Sequence, residues 1–133
     1  MKKGRTVLQA KRFGIHSCTA NTSLLAAIRT MVEEEVSSLV VEDNEGSLMG
    51  LITRNDVLRV YTAQDKWAAH LVKDHMQTDI AVVAPQTMLI DAALLMINRR
   101  ARQVVVVLED DGKRRPVAML TDADLAYHLV KSS

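Results

Sequence analysis

The stretch Gly50-Leu51-Ile52-Thr53-Arg54-Asn55-Asp56-Val57 returns later in the chain as Ala118-Met119-Leu120-Thr121-Asp122-Ala123-Asp124-Leu125. In both copies a threonine lies three residues before an aspartate, directly after an apolar run that is typical of a strand. Thr53 and Thr121 are 68 positions apart in a chain of 133 residues, so the repeated unit is about half of the protein. A fixed internal period of this length predicts two copies of one supersecondary unit.

Other landmarks keep nearly the same period. Residues 21–28 align with residues 86–93, and the valine-rich residues 38–41 align with residues 103–106, both at a shift of 65. The three additional residues therefore enter between Glu109 and Pro116, around a glycine with charged neighbours. Such residues are typical of turns, so the insertion is predicted at the tip of a hairpin.

Each half is predicted to contain the same order of elements, β-α-β-β-α. Apolar periodicity and turn residues predict strands at 15–19, 37–41 and 48–52 with helices at 22–34 and 54–62, and then strands at 79–84, 103–108 and 116–120 with helices at 87–100 and 122–131. Residues 63–75 between the halves are predicted to be partly helical, with Trp67 as their one large anchor.

Helical spacing also predicts which side chains face the core. The helix over residues 87–100 is apolar on more sides than its counterpart and is predicted to be the more buried of the two. The predicted inner faces consist of Leu24, Ala27, Ile28, Met31 and Val32 on the first helix, Ile90, Leu94 and Ile97 on its repeat, and Val57, Leu58, Tyr61, Leu125, Leu129 and Val130 on the closing helices.

Composition is that of an ordinary globular protein, with 48% hydrophobic and 25% charged residues. No apolar run reaches the roughly 20 residues that a membrane helix needs. The single Cys18 excludes an internal disulfide and fits a reducing cytoplasm. A net charge of +1 and 3% aromatic content argue against nucleic acid as a partner. We therefore expect a cytoplasmic protein without membrane insertion.

The tandem β-α-β-β-α units with a Gly-x-x-Thr-x-x-Asp signature resemble a pair of CBS domains, the Bateman module. The resemblance spans about residues 5–131 and implies an α/β (α+β) fold in which two repeats pack pseudo-symmetrically. The expected boundaries are residues 5–62 for the first repeat, 63–75 for a connecting segment and 76–131 for the second repeat. Ala118 departs from the signature glycine and is expected to crowd close backbone approach in the second copy.

Two interpretations of the Thr-x-x-Asp pairs stay open. In a capping box, the threonine hydroxyl accepts from a free backbone N–H and the acid bonds back to the helix start. Alternatively, the helix N-terminus and the hydroxyl bind a phosphate, and the acid accepts from ribose hydroxyls. The resemblance implies that Asp56 and Asp124 bind ribose and that Thr53 and Thr121 contact phosphate or ribose.

The resemblance also implies that a ligand base lies against the first short strand and the turn before the valine-rich strand. The corresponding residues are His16, Ser17, Ser37 and Ser38 in the first copy and Ala81, Val82, Arg102 and Gln103 in the second. Arg102 is either a phosphate ligand or a solvated side chain, and His16 either contacts a base or has a structural role. Arg54 favours a phosphate near Thr53, whereas Asp122 repels one near Thr121.

Together with these residues, the resemblance implies a regulatory module that binds an adenosine-containing ligand in clefts between the repeats and signals by conformational change. The sequence does not choose among AMP, ADP, ATP, S-adenosylmethionine and a cyclic dinucleotide. A homodimer is expected, with the helices around Leu58, Tyr61, Leu125 and Leu129 as candidate surfaces. The rival interpretation is a structural module with unoccupied clefts that assembles with a partner enzyme or transporter.

An enzyme is disfavoured because no nucleophile, base and orienting group converge in the sequence. His16, His70, His75 and His128 are scattered singly, without partner acids or thiols at metal-ligand spacing. No catalytic residue, catalytic cofactor or metal site is therefore predicted.

Overall fold

The computed structural model describes residues 5–7 and 15–132, without the side chain of Ser132. It divides into two compact units. The first-copy unit comprises residues 16–79, and the second-copy unit comprises residues 80–132 together with residues 5–7 and 15. Each unit has a three-stranded sheet with helices, which confirms the mixed α+β fold and the repeated element order.

The first-copy unit consists of β1 (Ser17–Thr19), α1 (Leu24–Glu34), β2 (Ser38–Glu42), β3 (Leu48–Thr53) and α2 (Arg54–Ala63). Its sheet has the order β1-β2-β3, with β1 parallel and β3 antiparallel to the central strand. Two short 3₁₀ helices follow, at Trp67–Ala69 and Val72–Asp74, so the expectation of a partly helical segment between the halves is confirmed.

The second-copy unit consists of β4 (Val82–Val83), α3 (Leu89–Arg99), β5 (Gln103–Asp110), β6 (Lys113–Thr121) and α4 (Asp122–Ser132). Its sheet repeats the order and directions of the first, with β4 parallel and β6 antiparallel to β5. The additional residues lengthen the β5–β6 hairpin. Its tip has left-handed backbone at Asp111 and Gly112, with φ of 52° and 76°. The predicted insertion site is thus confirmed.

A leading segment pairs with the start of the first helix in each unit. Residues 70–72 bond to residues 22–24 through the amides of Leu24 and Val72, and residues 5–7 bond to residues 87–89 in the same pattern. Val7 and Val72 are both fully buried. Residues 8–14, which belong to the predicted first repeat, lie outside the described residues, and the predicted repeat boundaries stay a prediction.

Each unit has its own apolar core between sheet and helices. In the first-copy unit Leu24, Ala27 and Met31 of α1 pack on the buried faces of β2 and β3. In the second-copy unit Leu89, Ala92 and Met96 of α3 do the same on β5 and β6. These triplets follow helical spacing and match each other at the shift of 65.

The predicted inner faces of the helices are partly wrong. Ile90, Leu94 and Ile97 are between 50% and 70% exposed, so α3 is not the helix buried on more sides that its apolar pattern predicts. Apolar residues occupy adjacent faces of α3, and the sheet contacts the face that contains the small Ala92. Further residues predicted to face the core are exposed, namely Val32, Leu58, Tyr61, Leu129 and Val130.

Other buried positions on the closing helices replace the predicted ones. Val57 and Val60 are buried on α2, while Asp124 and His128 are buried on α4 beside the half-buried Leu125. Trp67 is half-buried against the first core. Val72, five residues later, is the fully buried residue of that segment. No helix among the described residues is long and apolar enough to cross a membrane.

Candidate functional site

The hairpin register gathers the predicted site residues at one end of each sheet. Ser38 begins β2 and lies opposite Thr53 at the end of β3, and Gln103 lies opposite Thr121 in the same way. A backbone hydrogen bond fixes the start of the helix that follows. The amide of Arg54 donates to the carbonyl of Ser37, directly before β2, at 2.8 Å. In the second copy the amide of Asp122 donates to the carbonyl of Arg102, also at 2.8 Å.

The residues at the beginning of each unit's first short strand are also hydrogen-bonded to its central strand. The carbonyl of His16 accepts from the amide of Val40 at 3.0 Å, and that of Ala81 accepts from Val105 at 3.0 Å. His16 is half-buried and Ser17 exposed, whereas Ala81 is buried and Val82 half-buried. Each unit therefore has the same backbone frame with a different side-chain lining.

A capping box forms at the start of α2. The amide of Asp56 donates to Thr53 Oγ1 at 3.1 Å, and the amide of Thr53 donates to Asp56 Oδ2 at 2.9 Å. Arg59 Nη1 also donates to Asp56 Oδ1 at 3.2 Å. The Asp56 residue is only 6% exposed, so its charge is balanced by these donors rather than by bulk water.

The second copy has the same reciprocal pair. The amide of Asp124 donates to Thr121 Oγ1 at 3.1 Å, and the amide of Thr121 donates to Asp124 Oδ2 at 2.8 Å. Asp124 is 5% exposed. Both Thr-x-x-Asp pairs are thus capping boxes, and both place a buried carboxylate at the amino end of a helix.

The charged lining differs between the copies. Arg54 and Asp122 are the first residues of α2 and α4, and both are exposed. Arg102 is also exposed, whereas its first-copy counterpart is the neutral Ser37. The buried Ser38 corresponds to the half-buried Gln103.

Two residues of the first-copy site were missed by the sequence analysis. Gln77 Nε2 donates to Asp56 Oδ2 at 3.0 Å and to Oδ1 at 3.3 Å, and Arg59 completes the set of donors. Arg59 follows Asp56 at helical i+3 spacing, which is a recognisable charge pair. Gln77 lies 21 residues after Asp56, so no helical spacing relates the two residues. The alignment of Val7 with Val72 indicates that residues 70–77 belong to a segment that, like residues 5–7, pairs with one of the units.

The cysteine thiol and the possible metal ligands are the remaining reactive side chains of the described residues. Burial, opposed by a hydrogen bond with Thr22 and assisted by Glu42, raises the pKa of Cys18 to about 11. The thiol is therefore protonated near neutral pH and is a poor nucleophile. Within the described part of the chain, no three His, Cys, Asp or Glu side chains are grouped to hold a metal ion.

The sequence pattern of the CBS domain family matches residues 11–63 and 72–131, and thus includes both Thr-x-x-Asp pairs. The chain belongs to the CBS domain family. Proteins that consist of CBS domains alone are typically regulatory, ligand-binding modules rather than enzymes.

Curated relatives are longer proteins. The chain is 27% identical over 116 residues to the transcriptional repressor CcpN of Bacillus subtilis, covering 85% of this chain and 54% of the repressor. It is 35% identical over 107 residues to the choline transport ATP-binding protein OpuBA of the same organism, covering 80% of this chain and 26% of that protein. The chain spans at most 60% of the length of the curated relatives it matches.

Solved CBS-domain structures superpose over almost the whole chain. The CBS domain pair of MJ0100, in complex with 5-methylthioadenosine and S-adenosylmethionine, has a TM-score of 0.85 at 19% identity, covering 97% of this chain and 98% of that one. CBSX2 in complex with AMP has a TM-score of 0.80 at 27% identity, covering 96% and 98%. The first likeness supports the fold alone.

Proposed function

We propose that this protein is a regulatory module that binds an adenosine-containing ligand and changes conformation on binding. The observation that carries the proposal is the burial of both motif carboxylates, since Asp56 and Asp124 are 6% and 5% exposed. A cap at a helix start does not need burial, and the hydrogen-bond donors around each aspartate allow the charged form to be buried. A buried anionic acceptor beside a helix N-terminus suits a ribose next to a phosphate.

Family membership and the ligands of similar proteins support this ligand class. CBSX2 binds AMP, and the CBS pair of MJ0100 binds 5-methylthioadenosine and S-adenosylmethionine. We accordingly propose AMP, ADP, ATP or S-adenosylmethionine as the ligand. Asp56 and Asp124 bind the ribose hydroxyls, while Thr53 and Thr121 contact phosphate or ribose. The proposed lining consists of Arg54, Arg102, Gln103, Ser37, Ser38, His16, Ser17, Ala81 and Val82.

Replacing each motif aspartate by asparagine separates binding from capping. Asparagine caps helices nearly as well as aspartate, but it removes the anionic acceptor. Calorimetry with AMP, ATP and S-adenosylmethionine should report a loss of roughly 1.5–3 kcal/mol in Asp56→Asn or Asp124→Asn, the usual strength of a hydrogen bond to a charged group. Asp91→Asn is the matched control, because Asp91 is an exposed acid in the first turn of α3 outside the motif.

The same variants can contradict the proposal. Apo proteins that melt at lower temperature while the affinity for a bound nucleotide is unchanged would identify both aspartates as caps only. Failure of all three compounds to bind or to raise the melting temperature of the wild-type chain would remove the ligand class itself.

We further propose that the module is a cytoplasmic homodimer without catalytic activity. The candidate surfaces are two helix faces, one on α2 with the exposed Leu58 and Tyr61, and one on α4 with the exposed Leu129 and the half-buried Leu125. Apolar side chains concentrated on exposed helix faces are typical of interaction sites. Light scattering should give twice the mass of the 133-residue chain at micromolar concentration. A monomer at that concentration would contradict the dimer.

The alternative function is a structural module with unoccupied clefts that assembles with a larger enzyme or transporter. The similarity to OpuBA favours it, because that similarity covers only 26% of a transport ATP-binding protein. A wild-type chain that dimerises normally but binds none of the adenosine compounds would support this alternative.

A further inference from the structure

The segment before residue 80 lies against the first-copy site through a close backbone contact. Gln77 and Leu51 exchange both backbone hydrogen bonds, at 2.8 Å and 2.9 Å. The adjacent Gly50 permits this approach, since a Cβ at position 50 would lie 2.6 Å from the Gln77 carbonyl oxygen and 2.9 Å from Met76 Sδ. The backbone of Gln77 is therefore fixed beside the end of β3.

From this position the side chain of Gln77 reaches the buried carboxylate. Its Nε2 lies 3.0 Å from Asp56 Oδ2 and 3.3 Å from Asp56 Oδ1. Oδ2 also accepts from the amide of Thr53, and Oδ1 accepts from Arg59. A carboxylate has about four lone-pair positions. Three donor atoms lie against those of Asp56, and the single Nε2 of Gln77 is within hydrogen-bond distance of both oxygens.

A ribose that binds Asp56 through both carboxylate oxygens therefore competes with the donors already present, and Gln77 is the donor that lies within reach of both oxygens. The Thr53 amide is part of the capping box and is held by the helix start. Arg59 and Gln77 are both exposed, but Arg59 carries a full charge, whereas Gln77 is a neutral amide. Hydrogen bonds between neutral donors and a carboxylate are weaker than those from charged donors, so Gln77 is the donor that is displaced at least cost.

We propose that Gln77 sets the ligand affinity of the first-copy site, because its amide occupies the acceptor positions that ribose hydroxyls need. The inference rests on the proposed function, and it adds a residue outside the repeated motif to the site. Gln77 lies three residues before the second-copy unit begins. When a ligand displaces the Gln77 amide, the segment that leads to that unit therefore also loses its side-chain hydrogen bond to Asp56.

Calorimetry with AMP tests this in the full chain. Gln77→Met keeps the length of the side chain but removes its donors, and should bind AMP at the first-copy site roughly tenfold more tightly, as expected for loss of one competing hydrogen bond. Gln77→Ala should give the same sign if the methionine variant folds poorly. Thr78→Ala, at the exposed neighbouring position, is the control and should bind AMP as the wild type does.

A double-mutant cycle identifies the mechanism. In the Asp56→Asn background the gain from Gln77→Met should shrink, because the acceptor for which amide and ribose compete has been altered. Suppose that wild type binds AMP and that Asp56→Asn weakens this binding. If Gln77→Met then binds AMP no more tightly than wild type does, the inference is wrong while the proposed function stands. If neither wild type nor Gln77→Met binds AMP, ATP or S-adenosylmethionine, the proposed function fails and the inference with it.

Discussion

The two candidate sites have one backbone frame and different surroundings. In both, a capping box buries an aspartate at the start of a closing helix, with bond lengths that agree within 0.1 Å. The first-copy site adds Gly50, the close approach of Gln77 and an exposed Arg54, whereas the second-copy site has Ala118 and Asp122 at the matching positions. The repeated motif thus fixes the position of the aspartate, while the neighbouring residues determine which hydrogen-bond donors compete for its carboxylate.

The largest expected difference concerns the glycine. Gly50→Ala places a methyl group against the Gln77 carbonyl and the Met76 side chain. The Met76 side chain can rotate away, but the contact with the Gln77 carbonyl is relieved only by moving the backbone of the paired segment. We expect a loss of roughly 1–3 kcal/mol in the free energy of unfolding, as for other overpacked sites. Urea unfolding monitored by circular dichroism measures this quantity.

Ala118→Gly is the reciprocal change in the second copy. Ala118 is fully buried, so removal of its methyl group should lower the free energy of unfolding by about 1 kcal/mol, through lost burial and added entropy of the unfolded chain.

A Gly50→Ala protein as stable as the wild type would mean that the close approach of Gln77 does not constrain position 50.

The next comparison concerns the first helices of the two units. Ser23 Oγ accepts from the Ala26 amide at 3.1 Å and caps α1, whereas Met88 at the start of α3 makes no side-chain cap. Ser23→Ala should therefore lower the free energy of unfolding by about 1 kcal/mol. Ser23→Asn, which retains a capping acceptor, should restore most of the loss, and an equal loss in both variants would assign the effect to packing.

A smaller effect is expected for the charges beside the motif threonines. Arg54→Asp should weaken ATP relative to AMP at the first-copy site, and Asp122→Arg should strengthen ATP relative to AMP at the second. Exposed charges contribute roughly 0.2–1 kcal/mol each, so we expect changes of up to about fivefold that diminish at high salt. Calorimetry that gives equal ATP-to-AMP affinity ratios in wild type and both variants would refute the predicted inequality of the sites.

The sequence was sufficient for the features that depend on local spacing and repetition. The order of elements, the hairpin insertion near Gly112 and the pairing of threonine with aspartate are all confirmed. The helix faces were less predictable: α3 is apolar on adjacent faces, and its periodicity supports both Ile90 and Leu89 as core residues. Only the packing of Ala92 against the sheet selects between them.

The donors around Asp56 illustrate the second limit of the sequence. Arg59 lies within one helical turn of Asp56, but Gln77 reaches the carboxylate from a segment 21 residues later in the chain. Such a contact depends on how residues 70–77 pair with α1 and β3, which no local pattern encodes. Gly50 is a signal of that contact in the sequence, because the missing Cβ leaves room for the backbone of Gln77.

The smallest expected effect distinguishes the buried faces of the two closing helices. His128 on α4 occupies the position that Val60 has on α2, and both are buried. Burial, and secondarily the positive charge of Arg5, lower the pKa of His128 from its usual 6.5. The unfolded chain therefore binds a proton near pH 6.5 that the folded chain binds only at lower pH, so folding stability falls as the pH drops below about 6.5.

His128→Val should remove this contribution, because valine is the residue that the first copy already uses at the same position. Urea midpoints measured between about pH 5 and 8 should decline less steeply on the acid side in His128→Val than in wild type, with no change in slope above pH 7. Val60→Ala serves as the comparison, since it changes the equivalent face without a titrating group and should shift all midpoints equally. Parallel midpoint curves for wild type and His128→Val would mean that His128 takes up its proton equally well in the folded and unfolded chains, and that the two closing helices differ in packing alone.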